Sequence, residues 1–265
     1  MLSNAAMPRT IVTTSWDDGA RHDLRIAGML RDRAIRGTFY VPFSHERHRV
    51  LPFADIRSLA TQGFEIGGHG LSHRNLPSMS TEEIDREVRG CKEKLEDIVG
   101  ERLSVFCYPR GRFSGRVQRR LKLAGYDGAR TVRMLSISPE FGPYEMPTTL
   151  QVYPHATSHY LRNLMRAMNA RGLYRYVLDF SRMGNWVECG RRLFDVVLRE
   201  GGVWHIFGHS WEIAELGLWG DLERLLDYIA GREGVLYLSN GETLRSLCQQ
   251  HRHVNGSGLA SMLKH

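Results

Sequence analysis

Short apolar runs rich in β-branched residues alternate with segments of helical periodicity along most of the chain. Strands are predicted where such runs are bounded by turn residues, at 10–15, 37–42, 64–67, 103–108, 128–132, 202–207 and 235–238. Helices are predicted between them, at 23–33, 54–62, 81–99, 115–123, 187–199, 221–229 and 242–251. About seven strand–helix units indicate an α/β protein with a parallel sheet, either a barrel or an open doubly wound sheet.

The clearest of these helices is predicted at 81–99. Ser80 and Glu83 have the spacing of a capping box, in which each side chain accepts a hydrogen bond from the backbone of the other residue. Apolar residues then recur every three or four positions, so one face of the helix should be buried: Ile84, Val88, Cys91, Leu95 and Ile98.

The alternation is interrupted at 138–186. A proline-rich irregular piece comes first, and a helical piece at 159–183 then combines apolar residues (Leu161, Leu164, Met165, Met168) with basic ones (Arg162, Arg166, Arg171). We interpret the chain as one domain, 1–265, with a core at about 10–250 that carries this insert. The basic amphipathic helix is expected to pack on the core as a lid; the alternative is contact with an anionic membrane holding a lipid-linked sugar.

Composition excludes several classes of protein. The 265 residues are 42% hydrophobic and 25% charged, which is typical of a globular domain. Four scattered cysteines without a CxxC pair argue against a disulfide framework or a zinc knuckle. The net charge of +7 is compatible with an anionic partner, but no basic run interleaved with aromatic residues predicts nucleic-acid binding. Because the sequence has neither a signal-type segment nor a long apolar span, we expect a cytoplasmic protein; the oligomeric state is not predicted.

Two adjacent carboxylates, Asp17 and Asp18, end the first predicted strand and precede Gly19. One interpretation is a metal ligand beside a general base. The other is an ordinary turn and helix cap, because Asp-Asp-Gly is common in turns.

Two histidines four residues apart, His69 and His73, follow a later strand in a glycine-rich loop. A single histidine is usually structural, and a pair alone is only suggestive. Together with Asp18 they supply two nitrogens and one oxygen, the donor set of a catalytic divalent metal ion with open positions.

Two further strand ends carry candidate residues. The loop Tyr108–Gly111 has backbone N–H groups that could stabilise an oxyanion, although it is equally compatible with a plain strand-to-helix turn. His209 follows the strand at 202–207 and is placed as a general acid would be, with a loop histidine as the alternative. His205 lies inside that strand and is interpreted as a core or lining residue.

Four elements occur in a set order: SWDDG at 15–19, GGHGLSHRN at 67–75, YPRG at 108–111 and WHIFGH at 204–209. In this order they resemble the motifs of the polysaccharide deacetylase family, also called the NodB-homology domain or carbohydrate esterase family 4. The resemblance spans about 10–247, and its first two elements are the more specific ones.

This resemblance implies a distorted (β/α)7-type barrel in a single domain. It implies Asp17 as general base, His209 as general acid, and zinc or a similar divalent ion (cobalt, nickel or manganese) on Asp18, His69 and His73. It also implies that the Arg110 backbone N–H contacts the oxyanion. The other residues implied to shape this loop or bind the substrate are Tyr108, Pro109, Gly111 and Trp211.

The chain departs from the family pattern in two places. Many members carry an arginine two residues before the proline of the third motif, where this chain has Cys107, and the family's Asp-Trp motif has no clear counterpart. Those residues brace the base and the acid. Arg130 or Arg133, after the next strand, are expected to substitute for the arginine.

The predicted function is removal of an N-acyl group, most often acetyl, from an amino sugar in glycan or cell-surface polysaccharide biosynthesis. One alternative is a deformylase or another C–N amidohydrolase of a lipid- or nucleotide-linked sugar. A second alternative is an inactive carbohydrate-binding barrel, although five intact polar site residues argue against it.

Overall fold

The central strand of the sheet is β1 (Thr10–Asp17), all eight residues of which are buried. The computed structural model describes residues 10–166 and 185–249. β1 pairs in parallel with three strands, β2 (Thr38–Val41), β7 (Gly202–His209) and β8 (Val235–Tyr237). Because it is buried on both faces, β1 combines β-branched residues with a fully buried Trp16.

The other strands extend the sheet on both sides of β1, in the order β5-β4-β3-β2-β1-β7-β6. They are β3 (Glu65–Gly68), β4 (Val105–Cys107), β5 (Gly128–Arg130) and β6 (Leu150–Gln151). All their pairings are parallel. A bridge between Arg130 and Met146 connects the outer side of β5 to the segment that leads into β6, so the sheet curls towards a barrel.

Helices surround this curled sheet. They are α1 (Asp23–Arg31), α2 (Phe53–Thr61), α3 (Thr81–Val99), α4 (Gly115–Leu123), α5 (Thr157–Arg166), α6 (Trp186–Glu200), α7 (Ser210–Glu215), α8 (Trp219–Ile229) and α9 (240–249). The predicted capping box of α3 is present, and the helix ends at Gly100 in the left-handed conformation. None of the helices in the described ranges has the length and apolar character needed to cross a bilayer.

The α/β barrel class predicted from the sequence is confirmed, whereas the structure of the insert differs from the prediction. The proline-rich piece was expected to be irregular, but it contains β6, which pairs with β7. A two-residue strand is too short to leave a readable periodicity, and this explains the error. The helical piece begins at Thr157 and is described to Arg166; Met168 and Arg171 lie outside the described residues. Cys91, Cys107, Cys189 and Cys248 are free thiols, as expected.

Candidate active site

Strand pairing brings the first and last sequence elements together. β1 ends at Asp17 and β7 ends at His209, and these two residues are direct partners in the parallel register. The carboxyl ends of β3 and β4 lie at the same edge of the sheet and lead into the loops that carry His69 and Tyr108. In parallel α/β sheets this edge is where reactive side chains gather.

Backbone strain is concentrated at this edge. Asp18 has φ +79°, His73 +50° and Arg110 +58°, a region that residues other than glycine rarely adopt. Gly19 continues the turn at φ +61°, where an added Cβ would lie 3.0 Å from Val41. Non-glycine residues in such conformations are typical of functional sites, because the surrounding structure must hold them there.

Asp18, His69 and His73 form a candidate metal centre. Oδ1 of Asp18 lies 3.4 Å from Nε2 of His69 and 3.3 Å from Nε2 of His73, and one ligand atom from each residue lies within 4.8 Å of the others. That oxygen is buried and has no hydrogen-bond partner among the described residues. A buried carboxylate oxygen without a donor, facing two imidazole nitrogens, fits a divalent metal ion.

Burial and hydrogen bonds set the protonation of the two histidines. His69 Nδ1 donates to the Cys107 carbonyl at 2.8 Å, so Nε2 is directed at Asp18. Burial acts to lower the pKa of His69, but Cys107 and the hydrogen bond to Asp18 raise it well above its ordinary value, so a bound metal ion would take the place of the Nε2 proton. Burial, together with repulsion from His69, lowers the pKa of His73 to about 3, so this ring is neutral at physiological pH. Burial acts to raise the pKa of Asp18, but its histidine neighbours reverse this and hold the carboxylate ionised.

Arg130 holds the carboxylate of Asp17. Its Nη2 contacts both oxygens of Asp17, and both side chains are buried. Burial alone would raise the pKa of Asp17, but the charge of Arg130, with smaller contributions from His69 and His209, lowers it below its ordinary value. Of the two predicted substitutes for the missing family arginine, Arg130 therefore reaches Asp17, whereas Arg133 pairs with Glu145.

Glu212 orients His209. The Nδ1 of His209 lies 2.6 Å from a Glu212 oxygen, which leaves Nε2 facing the site, 3.9 Å from Asp17 Oδ2 and 3.9 Å from Asp18 Oδ2. Burial acts to lower the pKa of His209, but the Glu212 hydrogen bond and the charges of Asp18 and Asp17 raise it overall. Glu212 occupies the bracing position for which the sequence offered no counterpart.

The third-motif loop closes another side of the site. The backbone amides of Gly111 and Arg112 donate hydrogen bonds to the carbonyls of Tyr108 and Pro109. The Arg110 amide therefore remains as the candidate oxyanion donor of this loop. The Tyr108 hydroxyl donates to the Tyr144 carbonyl, so it anchors the loop.

These side chains surround a cavity of about 430 Å³. Among the predicted site residues, the cavity is lined by Asp17, Asp18, His69, His73, Tyr108, Arg110, Gly111, His209 and Trp211. Pro109 and Arg130 are buried behind this lining. Trp211 was predicted only as a substrate-binding residue. In the structure its Nε1 donates a hydrogen bond to Asp18 Oδ2 at 2.9 Å, so it also positions this carboxylate.

The lining also includes residues that were not singled out from the sequence, notably His45, Gln151 and His159. The signal that could have identified His45 was its place shortly after a predicted strand, in SHERH.

The cavity at the carboxyl edge of the barrel thus combines a carboxylate–imidazole cluster with a second carboxylate, an arrangement that is chemically compatible with metal-assisted hydrolysis. The family model described as polysaccharide deacetylase matches residues 4–129. The resemblance predicted from the sequence motifs is thereby confirmed for this part of the chain.

Curated relatives match about two-fifths of the chain. The peptidoglycan-N-acetylmuramic acid deacetylase PdaA of Bacillus subtilis is 26% identical over 105 residues, 38% of each chain. An uncharacterized protein of Streptomyces coelicolor is 26% identical over 103 residues, 39% of this chain and 40% of the relative. The match thus spans about two-fifths of the length of these relatives.

Solved structures extend the likeness to the whole fold. A provisionally named polysaccharide deacetylase from Mycobacterium smegmatis has a TM-score of 0.67 at 19% identity, covering 93% of this chain and 95% of the other. The chitin deacetylase of the fungal pathogen Colletotrichum lindemuthianum has a TM-score of 0.58 at 15% identity, covering 89% and 88%. These similarities establish a shared fold.

Proposed function

We propose that this protein is a metal-dependent hydrolase that removes an N-acetyl group from an amino sugar during the synthesis of a glycan or cell-surface polysaccharide. The observation that carries the proposal is the cluster of Asp18, His69 and His73 directly beside Asp17. We also propose that it acts in the cytoplasm, on a nucleotide- or lipid-linked sugar or a biosynthetic oligosaccharide.

Asp18, His69 and His73 would hold the metal ion, and zinc suits two imidazoles and one carboxylate. When bound, such an ion polarises the amide carbonyl and lowers the pKa of water, so that a carboxylate is a sufficient base.

Asp17 is the proposed general base. The charge of Arg130 keeps Asp17 ionised, so Asp17 can accept a proton from water as that water attacks the amide carbon. The Arg110 amide is the proposed donor to the oxyanion that forms on the carbonyl oxygen. The amide C–N bond then breaks, which yields acetate and the free amine of the sugar.

His209 is the proposed general acid. Its Nδ1 is directed at Glu212, so the Nε2 proton faces the cavity and can pass to the departing nitrogen. The raised pKa of His209 favours the protonated ring, the form that this step requires.

Metal removal tests the proposal most directly. Purified protein should release amine from N-acetylated nucleotide sugars or lipid-linked glycans, lose this activity after treatment with a chelator, and regain it when zinc is added back. Acetate and formate are measured together, because formate as the product would identify a deformylase instead. Amine release that is unaffected by complete metal removal would contradict metal dependence.

The role of Glu212 is tested by Glu212→Gln. This change removes the charge that holds His209 and replaces a charge-assisted hydrogen bond worth roughly 1.5–3 kcal/mol, so kcat should fall about tenfold or more. Loss of the carboxylate should lower the pKa of His209, and the acid form would then be lost at lower pH. The alkaline limb of the kcat profile should therefore move to lower pH.

The matched control is Glu215→Gln, which neutralises an exposed carboxylate on the same short helix α7. It should change neither kcat nor the pH profile. An alkaline limb that stays in place in Glu212→Gln, with kcat near that of the control, would remove Glu212 from the proposed mechanism.

A further inference from the structure

A second pair of histidines faces the same carboxylate from another side. His45 and His48 lie in the loop that follows β2, and their rings stack with centroids 4.2 Å apart. The side chain of His45 is only 3% exposed, and its Nε2 lies 3.5 Å from Asp18 Oδ2. The proposed hydrolysis uses neither residue.

The two oxygens of Asp18 face different histidines. Oδ1 is directed at His69 and His73, whereas Oδ2 is directed at His45. Asp18, His45 and His48 each offer a ligand atom, and these atoms lie within 4.8 Å of one another. Oδ2 also accepts the Trp211 hydrogen bond, but a carboxylate oxygen has two lone pairs and can accept this bond and bind an ion.

His48 has the protonation pattern of a metal ligand. Its Nδ1 hydrogen-bonds the Arg49 carbonyl at 3.1 Å, so Nδ1 carries the proton and Nε2 carries the lone pair. Nε2 is buried and has no hydrogen-bond partner among the described residues. An unpartnered buried nitrogen costs free energy that a bound cation would offset.

His45 has two mutually exclusive arrangements. The Arg47 backbone N–H lies 3.3 Å from His45 Nδ1, and if this contact is kept, the ring carries its proton on Nε2 and donates it to Asp18. Ligation through Nε2 instead requires the proton on Nδ1 and the loss of that long contact. Without a second ion, the first arrangement explains His45 but leaves the buried Nε2 of His48 without a partner.

We propose that His45, His48 and Asp18 bind a second divalent transition-metal ion, so that Asp18 bridges two ions in one centre. Imidazole and carboxylate donors suit zinc, cobalt or nickel. This inference rests on the proposed function, because the first ion is held by the other oxygen of Asp18.

Metal stoichiometry tests the second site without relying on activity. The full chain is stripped with chelator, reloaded with excess zinc, passed through a desalting column and analysed for zinc per chain. We expect two ions in the unchanged protein and one ion in each of His45→Ala and His48→Ala. His22→Ala is the control. His22 is exposed and directly precedes α1, so this variant should still bind two zinc ions.

Crystals of the unchanged, zinc-loaded protein provide a second readout that does not depend on variants folding. Two anomalous peaks, one beside His69 and His73 and one beside His45 and His48, are expected at the zinc absorption edge. One ion per chain and a single peak would overturn the second site and leave the proposed hydrolase intact. No bound ion would overturn both.

Discussion

Replacing Asp17 with Asn should lower turnover by a factor of about 10²–10⁴, the usual contribution of a positioned general base. Asn has nearly the same shape as Asp, but its amide cannot accept a proton from water. Asp18, His69 and His73 are unchanged in this variant, so zinc binding should persist. The measurement is kcat for amine release, with zinc per chain determined on the same sample.

Asp23→Asn is the matched control for this change. Asp23 is a fully buried carboxyl a few residues along the same chain segment, and its oxygen Oδ1 contacts Ser210. Burial raises the pKa of Asp23 well above its ordinary value and so favours the neutral carboxyl, and an amide of nearly the same shape should therefore change turnover little. Turnover by Asp17→Asn close to that of Asp23→Asn, with zinc still bound, would refute the assignment of the base.

The convergence of the site was predictable from the sequence because it depends on parallel strands. Every strand of such a sheet ends at the same edge, so polar residues that follow different strands become neighbours even when they are distant in sequence. Asp17 and His209 are 192 positions apart in the numbering and are direct partners in the register of β1 and β7. The motif order therefore carried real information about geometry.

The supporting residues depend on register and were less accessible. In the pairing of β4 with β5, Arg130 is the direct partner of Cys107, the position where many family members have their arginine. A guanidinium on the neighbouring strand thus reaches the same carboxylate. The sequence could not choose between Arg130 and Arg133, because a shift of a few residues in a short strand changes which side chain points inwards.

Loop conformation explains why the contacts of Glu212, His45 and His48 were not predicted from the sequence. Glu212 reaches back to His209 only because α7 begins immediately after β7. His45 and His48 approach Asp18 through a loop without regular secondary structure, whose path periodicity cannot give.

Replacing Arg130 with Met should destabilise the protein strongly. It leaves the carboxylate of Asp17 buried without a partner, and breaking a buried ion pair in this way costs about 3–5 kcal/mol. For a chain of this size, that loss corresponds to a decrease in Tm of roughly 6–20 °C. Unfolding by urea and by heat at pH 7 provides the measurement.

A double variant separates the lost charge pairing from lost packing. Adding Asp17→Asn to Arg130→Met removes the unpaired charge, so the double variant should be more stable than Arg130→Met alone while remaining inactive. Arg102→Gln, which breaks an exposed pair with Asp127, is the control and should change the free energy of unfolding by less than about 1 kcal/mol.

The destabilisation by Arg130→Met should also depend on pH. Because the folded-state pKa of Asp17 is depressed, the stability that its pairing contributes is present above the ordinary aspartate pKa of about 3.9 and is lost as pH falls through the lower folded value. In the variant, protonation of Asp17 removes the buried charge. The difference in free energy of unfolding between the unchanged protein and Arg130→Met should therefore become smaller as the pH is lowered below neutrality. A difference that is the same at pH 7 and at pH 4, with no recovery in the double variant, would mean that Arg130 stabilises the barrel through its contacts with the Phe207 and Tyr40 rings and not through its pairing with Asp17.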